Sequence, residues 1–231
     1  MTSGLLIPTL RPNSDFARDL YRPWDPSVKL SRADLESSFS IGLNVAVGHH
    51  DKRGRYVEEQ SIAAHSIIQQ LPHMLINGMN NSAVQTVLDI GNTARTLNTT
   101  SAGFDGSLMG GANESAGRGV QCGTGTTAVT MSDYKIQTVI ANGTGAGQLQ
   151  WAAEVAYSVS SSGTSRLITT SRAFTNNSAG AINVTEVALN MMWRDSGGTN
   201  RQFCICRDLL SFTIGIGATK TVTYTFTVSL T

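Results

Sequence analysis

Neither sign of charge is in excess in this 231-residue chain: 17 Lys and Arg stand against 16 Asp and Glu, a formal net charge of +1. The charges divide almost evenly between the first 60 residues and the remainder. The basic footprint that phosphate-backbone binding requires is therefore missing, and DNA and RNA are excluded as main partners. Charged residues make up only 14% and aromatics 6%, while Gly, Ser, Thr and Asn are abundant. Short strands joined by Gly and Asn turns fit that composition better than a helical bundle. No apolar run reaches the length of a membrane-spanning helix, so no membrane partner is expected. Met1 is followed by Thr-Ser-Gly-Leu-Leu-Ile-Pro, too short and without the basic flank of a signal peptide, and the expectation is a chain with no targeting segment.

Cysteine is also scarce. Cys122, Cys204 and Cys206 form an odd set, and Cys204-Ile-Cys206 has one spacer where redox and zinc motifs need two or more. On a regular strand both thiols would share one face, and buried free thiols are expected, since packed Cys behaves as a small hydrophobe. The histidines are confined to His49, His50, His65 and His73. His65 and His73 are too far apart for a metal pair on adjacent helical turns, so no metal is expected. Gly123-Thr-Gly125 and Gly143-Thr-Gly-Ala-Gly147 place glycines close together, but no Gly-Lys-Ser/Thr follows, and they read as turns with neither a preceding buried strand nor a following helix. Six Asn-x-Ser/Thr triplets, beginning at Asn80, Asn98, Asn113, Asn142, Asn176 and Asn183, likewise read as turn residues.

Residues 1–55 concentrate four of the five prolines (Pro8, Pro12, Pro23, Pro26) among charged residues and read as an extended arm. Leu5, Leu6, Ile7, Phe16, Leu20, Tyr21 and Trp24 lie in this arm without a local core; leaving them in water is costly, and they are the candidate subunit contacts. Residues 56–116 form a second region. From Tyr56 to Met79, apolar residues at three- and four-residue steps predict a helix, kinked or divided at Pro72, with Glu58 and Glu59 at the favourable end of its dipole. Strand signals follow at Val84, Thr86 and Leu88 and from Thr93 to Leu97, then a long spacer from Thr99 to Gly119.

Residues 117–231 carry the clearest β pattern. Trp151, Ala153, Val155, Tyr157 and Val159 alternate with small or polar residues, as do Val222, Tyr224, Phe226, Val228 and Leu230, each predicting a strand with one buried face. Arg166–Phe174, Ile182–Trp193 and Arg201–Ile205 read as further strands separated by Ser-, Asn- and Gly-rich turns. Ser132-Asp133 is positioned to cap a short helix to about Ile140. Glu154 and Glu186 are isolated acids within strands, and Arg166, Arg172, Arg194, Arg201 and Arg207 are placed to pair with Asp195 and Asp208 at sheet edges. The fold class expected is mainly β, an antiparallel sandwich or jelly roll with an N-terminal extended arm and one short helical segment.

Three segments, read in order, are Gly123-Thr-Gly-Thr-Thr-Ala-Val-Thr-Met-Ser-Asp-Tyr-Lys-Ile136, Arg172-Ala-Phe-Thr-Asn-Asn-Ser-Ala-Gly-Ala-Ile-Asn-Val-Thr-Glu-Val-Ala-Leu189, and Arg207-Asp-Leu-Leu leading into Thr219–Leu230. Their order resembles a module of tailed-bacteriophage virion proteins encoded among head, collar and tail genes. The resemblance covers residues 117–231 and brings no catalytic constellation. It implies a non-enzymatic protein of a shell, collar or tail layer, assembled in the host cytoplasm, whose partners are further copies of itself and other virion proteins, with no cofactor. A receptor-binding or fibre-type adhesin, whose loops contact a host glycan or protein, is the alternative. A carbohydrate-active enzyme is the third reading; no carboxylate spacing selects one.

Overall fold

The computed structural model describes residues 39–63, 67–79, 86–98 and 117–230. The arm contacts expected at Leu5, Leu6, Ile7, Phe16, Leu20, Tyr21 and Trp24 lie outside these residues, as do His65 and most of the 99–119 spacer.

The described chain is mainly β and antiparallel. Its strands are β1 (Phe39–His50), β2 (Tyr56–Ala63), β3 (Thr86–Leu88), β4 (Ala94–Thr96), β5 (Gly119–Gly123), β6 (Gln150–Trp151), β7 (Val155–Ser162), β8 (Ser165–Thr175), β9 (Ile182–Arg194), β10 (Asn200–Ile214) and β11 (Thr219–Leu230), with a helix α1 (Gln70–Met79) after β2. One sheet of six strands runs β2-β1-β11-β8-β6, with β7 also paired to β8; a second runs β10-β9-β5; β3 and β4 form a separate hairpin.

The two larger sheets share one core. Leu43, Val45 and Val47 from β1, Trp151 from β6, Phe174 from β8, and Val222 and Tyr224 from β11 meet Val120, Cys122, Val187, Leu189, Phe203, Ile205 and Leu210 of the smaller sheet. Each such side chain removed from water contributes about 1.5–3 kcal/mol, and a contact set drawn from both sheets fixes them face to face. Trp151 and Phe174 meet edge to face with centroids 6.0 Å apart. The smaller sheet is covered on its other side too: Ala188 and Cys204 pack with Ile68 and Ile136. Residues 67–68 add to the edge of β10 through the Ile67–Cys206 bridge and the Ile68 N–H donated to the Ile205 carbonyl.

Several elements differ from the sequence reading. Phe39–His50, assigned to the arm, is a strand, because Leu43, Val45 and Val47 alternate into the core. Tyr56–Ala63, assigned to a helix, is β2. Asp51 closes a tight turn that brings it back antiparallel to β1, and that pairing overrides the helical spacing of its apolar residues. Glu59 therefore meets His49 and Lys220 rather than a helix dipole. Helix α1 begins only at Gln70, so Pro72 sits in its first turn, where a missing N–H costs nothing. No helix follows Ser132: residues 131–138 are turns and bends, and the Asp133 carboxylate accepts the Thr130 N–H. The strand expected from Trp151 to Val159 is broken at residues 152–154 into β6 and β7, and Val155 and Val159 are each 64% exposed.

Two irregularities in β10 set which side chains meet. The register with β9 slips between Cys204 and Cys206, so that Cys204 faces Asn190 and Cys206 faces Leu189. The extra residue shifts the alternation. Cys204 packs in the outer cluster and Cys206 in the central core, correcting the expectation that they share a face. Beyond the slip, Arg207 follows Cys204 onto the outer side.

Candidate functional site

The densest polar constellation among the described residues is built around Glu186, in mid β9. Its carboxylate is completely buried, and it is held from four directions. Oε1 accepts the N–H groups of Gly125 at 2.9 Å and Thr138 at 2.8 Å, while Oε2 accepts the Gln137 N–H at 3.1 Å and Arg207 Nε at 2.9 Å. The Arg207 guanidinium, also fully buried, donates further to Asp133 Oδ2 at 2.8 Å and to the Thr127 carbonyl at 2.9 Å. Burial pulls the Arg207 pKa down, but the ion pairs with Glu186 and Asp133 outweigh it and hold the guanidinium charged. A buried charge is costly unless paired and hydrogen-bonded, and here every oxygen of Glu186 has donors.

This arrangement explains the glycines that resemble a phosphate loop. Gly123 does end a buried strand, β5, which the sequence reading did not place. The amides beyond it cradle the protein's own carboxylate instead of a ligand phosphate. A Cβ at either Gly123 or Gly125 would collide with Glu186, so glycine is required by close approach. Chemically the constellation is a clasp: it ties residues 124–138 onto the outer face of the smaller sheet.

A second clasp lies on the larger sheet. Glu154 accepts the Val120 N–H at 3.1 Å and the Thr170 hydroxyl at 2.7 Å. Arg172, completely buried, donates to the carbonyls of Ala152, Arg118 and Val120 and lies 5.4 Å over the Trp151 ring. Burial lowers the Arg172 pKa and the Glu154 charge opposes that shift. Together they fix the break between β6 and β7 against the start of β5.

Three hairpins share one turn device. In Asp89-Ile-Gly-Asn-Thr-Ala-Arg95, Asp89 Oδ1 accepts the N–H groups of Gly91 and Thr93 and Oδ2 takes Arg95 Nε at 2.7 Å. In Asp195-Ser-Gly-Gly-Thr-Asn-Arg201, Asp195 Oδ1 accepts the Thr199 N–H and Oδ2 takes Arg201 Nε at 2.7 Å. Asp51 repeats it with the amides of Arg53 and Arg55 and with Arg55 Nε. Asn92, Gly198 and Gly54 take the left-handed position in the three turns. Arg201 and amide bonds from Thr199 hold the Asp195 carboxyl below the ordinary carboxylate range. Burial would raise that of Asp89, but Arg95 and the Thr93 and Gly91 amides bring it below.

The residues singled out from sequence therefore separate. Arg201 pairs with Asp195 as expected. Arg207 pairs with Glu186 and Asp133 in the interior rather than with Asp208 at an edge, and Asp208 accepts the buried Tyr224 hydroxyl at 3.1 Å. His49 meets Glu59 at 2.7 Å on an exposed face, His50 meets the Tyr56 ring edge to face, and His73 lies in α1. Among the described residues, no group of three or more His, Cys, Asp or Glu is placed to hold a metal ion. All three cysteines are free and buried, and burial pushes their thiols well above the ordinary range. Ile62, Ile67, Val129, Met131 and Leu209 line an apolar cleft of about 320 Å³ beside the end of β2, with Asp208 and Thr130 its polar members.

No protein-family model matches the chain, and neither the curated proteins nor the solved structures hold a match to it.

Proposed function

We propose that this chain is a structural protein of a tailed-phage virion, without catalytic function, which assembles through its sandwich and N-terminal arm into a symmetric shell, collar or tail layer. The carrying observation is where the buried charge is used. Arg172 with Glu154, and Arg207 with Glu186 and Asp133, fix two loop segments, 124–138 and 152–154, to the sheets and, Asp133 excepted, are buried from solvent. Buried ion networks of this kind hold a shape more than they add net stability, which suits a subunit that must present fixed surfaces to its neighbours. The order of the three C-terminal segments supports the phage assignment, and the apolar residues of the arm, Leu5 to Trp24, support assembly through it. A mass-spectrometric inventory of purified particles, with a copy-number estimate, tests the reading. Many copies per particle in a symmetric multiple are expected. Absence from the particle overturns it.

A further inference from the structure

We propose that the free edge of β7 is a self-association surface, on which β7 of a second copy pairs antiparallel across a twofold axis and continues the six-stranded sheet. This rests on the assembly reading above and names the surface it uses.

The two edges of the large sheet differ in kind. At one edge β2 exposes Glu58 and Glu59, and pairing two copies there would set carboxylates near one another. Charged residues are a common way for a sheet edge to resist unwanted pairing. At the other edge β7 reads Val155-Ala-Tyr-Ser-Val-Ser-Ser-Ser162, with no charge and no proline over eight residues. Among the described residues, β7 is hydrogen-bonded to β8 alone. Val155 and Ser158 to Ser162 are all exposed.

Register adds an apolar component. Val159 is opposite Ile168 on β8, and Ile168 is opposite Phe226 on β11. Cross-strand partners share a face, so this row lies on the side that carries Phe174 and Tyr224 into the core. Ile168 and Phe226 are half-buried and Val159 is 64% exposed, so the row leads outward from the core to the β7 edge. A second β7 would set its own Val159 row alongside.

Charge and closure select a second copy as the occupant. An uncharged strand meets its own copy without repulsion. A twofold antiparallel pair satisfies both free edges at once, whereas an unrelated added strand would leave its own outer edge open.

The test is a single-cysteine scan of the full-length chain through every position from Val155 to Ser162, under mild oxidation. The native thiols are buried, so an intermolecular disulfide reports the added one. A disulfide needs Cα atoms about 4.4–6.8 Å apart, and in a twofold antiparallel pair only a residue at the axis faces its own copy. Crosslinked dimer is expected at one position or an adjacent pair, with loss of crosslinking to either side. Ser160→Lys should abolish the dimer while leaving the thermal midpoint unchanged. Equal crosslinking at all positions means random collision and overturns the proposal. So does no crosslinking with unreactive added thiols, because another strand then covers the edge. Oligomers that form normally with Ser160→Lys sink the β7 surface and leave the assembly reading standing; a chain that is monomeric at every concentration sinks the assembly reading itself.

Discussion

Glu186→Gln changes almost no volume, yet it should be among the most damaging single substitutions in the described fold. The carboxylate receives the Gly125 and Thr138 amides on one oxygen and the Gln137 amide and Arg207 Nε on the other. An amide in its place must point its NH2 at one of these pairs. Either orientation sets a donor against two donors, and the lost charge leaves Arg207 with Asp133 as its remaining carboxylate. Removing one member of a buried ion pair costs about 3–5 kcal/mol. For a chain of this size each kcal/mol moves the thermal midpoint by about 2–4 °C, so a drop on the order of 10 °C is expected. The buried indoles of Trp151 and Trp193 give a fluorescence signal for both thermal and urea unfolding. Arg55→Ala supplies the contrast: its ion pair with Asp51 is at the surface, the Arg55 side chain is 71% exposed, and the loss should stay below about 1 kcal/mol. A Glu186→Gln midpoint within the range of Arg55→Ala would refute the clasp as the element that fixes residues 124–138.

Gly125→Ala should destabilise in the same direction, because the added methyl collides with the Glu186 carboxylate, and limited proteolysis should then cut within residues 124–138. The folded Asp195 and Asp89 carboxyls lie below their unfolded range of about 3.9, so their contribution to stability is present above that pH and is lost as pH falls through the folded values. Urea midpoints between about pH 5 and pH 2 should fall less steeply for Asp195→Asn than for the parent chain, and parallel curves would contradict this. The three thiols should resist a thiol reagent in the native state and react fully in denaturant; rapid native labelling of any of them would contradict their burial.

What was legible in the sequence was period-two patterning uninterrupted by competing signals. Ile182 to Trp193 and Val222 to Val228 announce β9 and β11 because β-branched and aromatic residues recur at the sheet spacing. β1 was hidden although Leu43, Val45 and Val47 alternate equally well, because the prolines and charges just before it dominate the composition of the window. β2 was hidden because Ile62 and the residues after it also match a helical period, and only the partner strand decides between the two. The clasps have no local signature at all. Glu186 lies 21 residues from Arg207, which lies 74 from Asp133, and a register slip in β10 turns the arginine outward from the core. The available signals were indirect: acids isolated within expected strands, glycines with no phosphate motif to serve, and the repeated Asp-x-Gly-x-Thr-x-Arg of two hairpins.

Assembly is the central claim, and the mass of the full-length chain in solution tests it most directly. Sedimentation velocity across a wide concentration range, repeated after deletion of residues 1–30, separates the contributions of arm and sandwich. The account predicts discrete oligomers that grow with concentration, and smaller ones without the arm. A full-length chain that sediments as a monomer at every concentration, alone and with purified particles, would contradict it.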